Sequence, residues 1–172
     1  MRQSTRERDD AGFTAFVAAN TPRLIHVAEL LTGSPHDAPD LVQAALIKVY
    51  PHWRRIGGDD PVGYTRRVMI NHQNDWWRRK RPREVLTERL PEAADRSDPA
   101  DDHALRVAML AALAALTRRE RQVVVLRFYC DLTEPAIAAE LGIAVGTVKS
   151  TLSRALNRLR EMPELVPLPM AG

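Results

Sequence analysis

The sequence predicts an all-α protein built as two small helical domains joined by a flexible linker. Three observations carry that prediction. Ala, Leu, Val and Arg dominate a 172-residue chain that is 45% hydrophobic, 27% charged and only 5% aromatic. Ala, Leu and Arg lose little conformational freedom in helices, and strand-formers are thin. Apolar residues recur with the period of about 3.6 residues expected of helices, in blocks closed by Gly or Pro. Between residues 85 and 103 that periodicity stops, and Pro91 and Pro99 sit among acidic residues, which is linker composition.

The elements follow in order. Phe13, Phe16, Val17, Leu24, Val27 and Leu31 share one stripe, which Thr32-Gly33-Ser34-Pro35 should end. Leu41, Ala44, Ala45, Lys48 and Val49 predict a second helix, with Ser34 or Asp37 as its cap and Pro39 acceptable in its first turn. Pro51 should end or kink it, because proline lacks the amide donor and clashes with the preceding turn. The stretch from Arg54 through Gly57-Gly58-Asp59-Asp60 reads as a loop, and Pro61 opens a helix running to about Arg81.

After the linker, Leu105, Met109, Leu110, Leu113 and Leu116 resume the helical pattern. Thr117 and Glu120 have capping-box spacing ahead of Val123, Val124, Leu126, Phe128 and Tyr129. Thr133 should cap a short helix ending at Leu141, with Gly142 left-handed and Ile143 plugging the core. A longer helix starts near Val145. A short helix, a Gly-containing turn and a longer helix are the signature of a DNA-binding helix-turn-helix. In the longer helix, Val145, Val148, Leu152, Ala155, Leu156 and Leu159 share a face. Thr147, Ser150, Arg154, Asn157 and Arg158 lie opposite, with Lys149 on a flank. Arg154 is therefore placed for a base edge, and Lys149, Ser150 and Thr147 for phosphates. The expected boundaries are 1–84, 85–103, 104–163 and an extended tail over 164–172.

Charge is uneven along the chain. The net +3 conceals a segment 61–83 with seven basic residues and one acidic, followed by 84–103 with two basic and seven acidic. A solvated helix face explains such runs as readily as a polyanion-binding strip does. The basic helix adds Tyr64, Arg66, Arg67, Asn71, Trp76 and Trp77 to Arg78, Arg79, Lys80 and Arg81. Amides, aromatics and arginines supply base-edge contacts, stacking and phosphate neutralisation respectively. For at least one tryptophan, inward packing is the plainer reading.

Other function classes find little support. No apolar run approaches the ~20 residues of a membrane span, and the polar start does not resemble a secretory signal. Cys130 is the only cysteine, which excludes an intramolecular disulfide. His26, His36, His52, His72 and His103 show no paired metal-ligand spacing, and Ser150 and Ser153 have no partnered histidine. The expectation is a cytoplasmic protein that is not an enzyme and uses no metal or cofactor.

Three stretches, in order, resemble the sigma-70 family. Asp37-Ala38-Pro39-Asp40-Leu41-Val42-Gln43-Ala44-Ala45-Leu46 is similar to the family's core-polymerase-binding stretch. Asp60-Pro61-Val62-Gly63-Tyr64-Thr65-Arg66-Arg67-Val68-Met69-Ile70-Asn71 is similar to its promoter-melting helix. Leu116 to Arg127, with Leu141-Gly142-Ile143-Ala144-Val145-Gly146-Thr147-Val148-Lys149-Ser150, resembles its minus-thirty-five-reading domain. Two modules with a short linker resemble the extracytoplasmic-function group, over about residues 10–162.

The resemblance implies an alternative sigma factor of two domains, sigma-two-like and sigma-four-like, directing promoter recognition. It implies core RNA polymerase and promoter DNA as partners, an anti-sigma factor as a further candidate, and no membrane. Asp40, Leu41 and Gln43 match residues that dock on core polymerase. Arg55 and Asp60, in the loop matching a base-capturing segment, join Tyr64, Arg67, Asn71, Arg78 and Arg79 as minus-ten candidates. Thr147, Lys149, Ser150, Arg154 and Arg158 are the minus-thirty-five candidates. Ala144 stands where Ser usually caps the recognition helix, and Thr151 where Arg is common. The alternative is a helix-turn-helix regulator acting without core polymerase, which leaves the Asp40–Gln43 stretch and the basic helix without a role.

Overall fold

The structure is a computed structural model, describing residues 2–56, 60–80 and 100–162, and every regular element among them is helical. They are α1 (Arg2–Thr32), α2 (Ala38–Val49), a 3-10 turn (Tyr50–His52), α3 (Trp53–Ile56) and α4 (Pro61–Lys80). After these come α5 (Ala100–Ala115), α6 (Arg118–Val124), a π-helical turn (Val125–Tyr129), α7 (Glu134–Leu141) and α8 (Val145–Arg160). Most of the expected linker and the 164–172 tail lie outside the described residues. The chain divides into two compact units, Met1–Glu29 with Pro35–Leu86, and Leu30–Ser34 with Thr87–Gly172.

In the first unit, α1 continues through Pro22, whose missing amide leaves one carbonyl without its helical partner. Side chains reinforce the neighbouring turn: Asn20 Nδ2 donates to the Phe16 carbonyl at 2.9 Å and Thr21 Oγ1 to that of Val17 at 2.6 Å. Gly33, at φ +71°, ends α1 in the left-handed region. Asp37 occupies the N-cap of α2 but makes no side-chain cap bond, because its own backbone is already helical. The buried stripe of α2 is Ala38, Leu41, Val42, Ala45 and Val49, so Lys48 points to solvent and Val42 replaces it in the core. This stripe packs on α4.

Pro51 ends α2 as expected but does not open a loop. The chain tightens into the 3-10 turn, with Trp53 N–H donating to the Tyr50 carbonyl, and α3 follows over Trp53–Ile56. The expectation of a loop from Arg54 is thus corrected. Aromatic packing supplies the reason, since Trp53 stacks within 4.9 Å of Phe16 and 5.3 Å of Phe13 by ring centroid. Residues 57–59 are outside the described set.

The second unit begins its described helices with α5, which starts at Ala100, inside the stretch read as linker. Its Leu110 and Leu113, and Leu116 just beyond it, are buried, as are Val123, Val124, Val125 and Leu126. The capping box forms in full: Glu120 N–H donates to Thr117 Oγ1 at 3.3 Å, and Thr117 N–H to Glu120 Oε2 at 2.9 Å. Arg121 draws the end of α5 against α6, donating to the Leu113, Ala114 and Leu116 carbonyls at 2.6, 2.9 and 3.3 Å. The helix behind the capping box widens into the π turn, which leaves Phe128 and Tyr129 on the surface.

Candidate nucleic-acid interface

The helix-turn-helix is built from local chemistry. Thr133 caps α7 through its hydroxyl, which accepts from Ala136 N–H at 3.4 Å. Gly142, at φ +64°, reverses the chain, and Ile143 N–H returns to the Ala138 carbonyl at 3.0 Å. Ile143 is only half-buried. Ala144 caps α8 with no side-chain bond.

The buried face of α8 is Val148, Thr151 and Ala155, while Leu152, Leu156 and Leu159 are half-buried and Val145 is exposed. This rotates the inward face toward Thr151 relative to the apolar stripe read from the sequence. Arg154 therefore does not stand straight opposite the core. At about 100° per residue, Gly146, Ser150, Ser153 and Asn157 take that side, and Lys149 and Arg154 flank it. Arg154 Nη2 donates to Thr151 Oγ1 at 3.3 Å, and Lys149 Nζ lies 3.8 Å from Glu134 Oε2. Thr147 and Ser150 are exposed, and Ser150 Oγ donates to the Thr147 carbonyl at 3.2 Å. Arg158 is turned back toward its own unit, 3.7 Å from Glu120 Oε2. Glu120 is buried, and a buried carboxylate is costly unless a cation or donors meet it.

On α4, Thr65, Met69, Ile70 and Gln73 form the buried side. Tyr64, Arg67, Asn71 and Arg78 fall on the opposite line, three of them exposed and Tyr64 half-buried. Arg78 pairs with Asp75, and Arg67 Nε donates to the Gly63 carbonyl at 3.4 Å. Asp60 sits one turn before Tyr64 and caps the helix, its Oδ1 accepting Gly63 N–H at 2.9 Å. Arg55 is exposed on α3, with Nη2 3.3 Å from His52 Nδ1. The Arg79 side chain lies outside the described residues. Trp76 and Trp77 pack edge to face at 5.4 Å and are 45% and 48% exposed, so neither is the inward-packed residue expected. They continue the buried side of α4 beyond Gln73, where the core has ended.

On α2, Asp40 and Gln43 are exposed, but Leu41 is only 7% exposed and belongs to the core. Its expected role in docking is corrected for that reason. What sequence reasoning missed is Ile47, 66% exposed, one turn beyond Gln43. It borders an apolar groove of about 650 Å³ between α1 and α2, walled by Phe13, Ile25, Val42, Leu46 and Tyr50 with Gln43 on its edge. An off-stripe isoleucine was the available signal. Among the described residues, no group of His, Cys, Asp and Glu could hold a metal ion, and no helix is long and apolar enough to cross a membrane.

Comparison with known proteins places both units. Residues 16–83 match the family model described as sigma-70 region 2, and residues 106–159 that described as sigma-70, region 4. An RNA polymerase sigma-E factor of Streptomyces avermitilis is 42% identical over 150 residues, covering 87% of this chain and 83% of the relative. The sigma-E factor of Streptomyces coelicolor is also 42% identical over 150 residues, covering 87% of this chain and 84% of the relative. Among solved structures, the sigma factor RpoE in complex with the anti-sigma factor NepR from Bartonella quintana aligns with a TM-score of 0.68 at 26% identity. That alignment covers 87% of this chain and 94% of the other. CnrH, solved with the cytosolic domain of CnrY, shares the fold with a TM-score of 0.56 at 23% identity, over 86% of this chain and 84% of that one.

Proposed function

The chain belongs to the extracytoplasmic-function group of the sigma-70 family, and on that premise we propose how its surfaces divide the work of a sigma factor. The family acts by binding: a sigma factor joins RNA polymerase and directs promoter recognition. In this chain, residues 1–84 hold core polymerase and read the minus-ten element, and residues 104–163 read the minus-thirty-five duplex. Joining both in one chain lets two weak sites act together through effective concentration.

The observation that carries the reading is the line of Tyr64, Arg67, Asn71 and Arg78 along the side of α4 opposite its buried face. One aromatic, one amide and two guanidiniums on a single line form a surface for phosphates and splayed bases. Arg55 and Arg79 are assigned to the same promoter element, and Asp60 sets the start of the helix. Asp40 and Gln43, with Ile47 and the apolar groove, form the core-polymerase surface. On α8, Thr147 and Ser150 meet phosphates near the helix start, Lys149 adds a phosphate contact, and Arg154 reads a base. Arg158 supports that helix through Glu120.

An anti-sigma partner is part of this reading, supported by the complex in which the RpoE relative was solved. The place of work is the cytoplasm, where polymerase and promoters are. The test is binding of holoenzyme to promoter DNA with a pre-opened minus-ten region. Arg67→Ala and Asn71→Ala should each weaken it while leaving core-polymerase affinity unchanged. Unchanged DNA binding in both variants would refute the assignment of α4.

A further inference from the structure

Asp60 stands on the line of α4 that continues through Tyr64, Arg67, Asn71 and Arg78, so this inference rests on the minus-ten reading of that line. A carboxylate there opposes a polyanion. The structure turns it aside. Oδ1 accepts the Gly63 amide at 2.9 Å. Oδ2 lies over the Gly63 Cα, where any Cβ would collide with it. Glycine is the poorest helix former after proline, yet it occupies the first turn of α4 at this point. The same glycine's carbonyl accepts from Arg67 Nε at 3.4 Å, so one turn both parks the acid and steadies a base.

We propose that Gly63 is a positioning residue for promoter recognition: its missing side chain is the notch that holds the Asp60 carboxylate over the first turn of α4, away from the DNA-facing line. The positive end of the helix dipole favours the parked position. A side chain at 63 would collide with Asp60 Oδ2, so the carboxylate must turn out of the notch.

The experiment uses full-length Gly63→Ala, Asp60→Asn, the double variant and Arg67→Ala, each assembled with core polymerase. Equilibrium binding to a promoter recovered by the wild-type holoenzyme is followed over a salt series. Gly63→Ala should weaken binding about two- to five-fold at low salt, with the loss shrinking as salt screens it. The Asp60→Asn side chain keeps an acceptor oxygen and carries no charge, so the double variant should bind as Asp60→Asn does. Helicity and core-polymerase affinity should hold, because Ala restores helix propensity as the cap weakens. A purely structural role would show the same loss in the double variant, and that result overturns the proposal, as does wild-type binding by Gly63→Ala. If Arg67→Ala binds like wild type, the α4 reading fails and the proposal falls with it. If Arg67→Ala loses affinity and Gly63→Ala does not, the glycine's role alone is refuted.

Discussion

Ile47→Ala is the sharpest probe of the polymerase-binding surface, because it separates docking from packing on one helix. Ile47 is 66% exposed, so its truncation should alter folding by no more than about 0.5 kcal/mol. Full burial of an isoleucine side chain is worth about 1.5–3 kcal/mol, so covering the exposed two-thirds by a partner is worth about 1–2 kcal/mol. The dissociation constant for core polymerase should therefore rise about 5- to 30-fold, with the melting temperature unchanged. Leu41→Ala should do the reverse: burial at 7% exposure predicts about 2–5 kcal/mol of lost stability. Titration of labelled full-length chain with core polymerase, beside thermal melts of each variant, reads both effects. A change of less than two-fold for Ile47→Ala, or a clear fall in its melting temperature, would refute the placement of the docking surface.

The remaining predictions concern the second unit. Arg154→Lys should flatten the preference among minus-thirty-five variants while total affinity holds, because an ammonium keeps the charge and loses bidentate pairing. Lys149→Ala should weaken all sequences alike and reduce the salt slope by about one, measured on a panel of duplexes with holoenzyme. Arg158→Ala should lower the melting temperature and leave the ranking of sites intact, since it removes a cation facing the buried Glu120 carboxylate. Thr117→Ala should cost about 1 kcal/mol of stability through loss of the capping box, read by chemical denaturation.

How far sequence reasoning reached depended on the range of the interaction. Thr117 with Glu120, Thr133 with Ala136 and the left-handed Gly142 are settled within four or five residues, and the pattern names them directly. Helix faces were harder. On α2, Leu41, Val42, Ala44, Ala45, Leu46 and Ile47 are apolar almost all round, so the stripe holds Leu41, Ala45 and Val49 inward but takes Lys48 in place of the buried Val42. On α8, Thr151 lies off the apolar stripe, yet it is buried with its hydroxyl accepting from Arg154, and that shifts every neighbour's bearing. Contacts far apart in sequence left no trace: Arg158 meeting Glu120, and Trp53 stacking on Phe16, which keeps α3 helical beyond Pro51.

A chain that gives core RNA polymerase promoter specificity through two separate DNA-reading faces must change where transcription starts. Run-off transcription from a genomic promoter library, with core polymerase alone and with the chain added, reads this. Start sites should be found only with the chain, sharing a minus-ten and a minus-thirty-five element. Asn71→Ala should change preference only at the former and Arg154→Lys only at the latter. Start sites that are the same with and without the chain would contradict that role, as would two variants that shift both elements together.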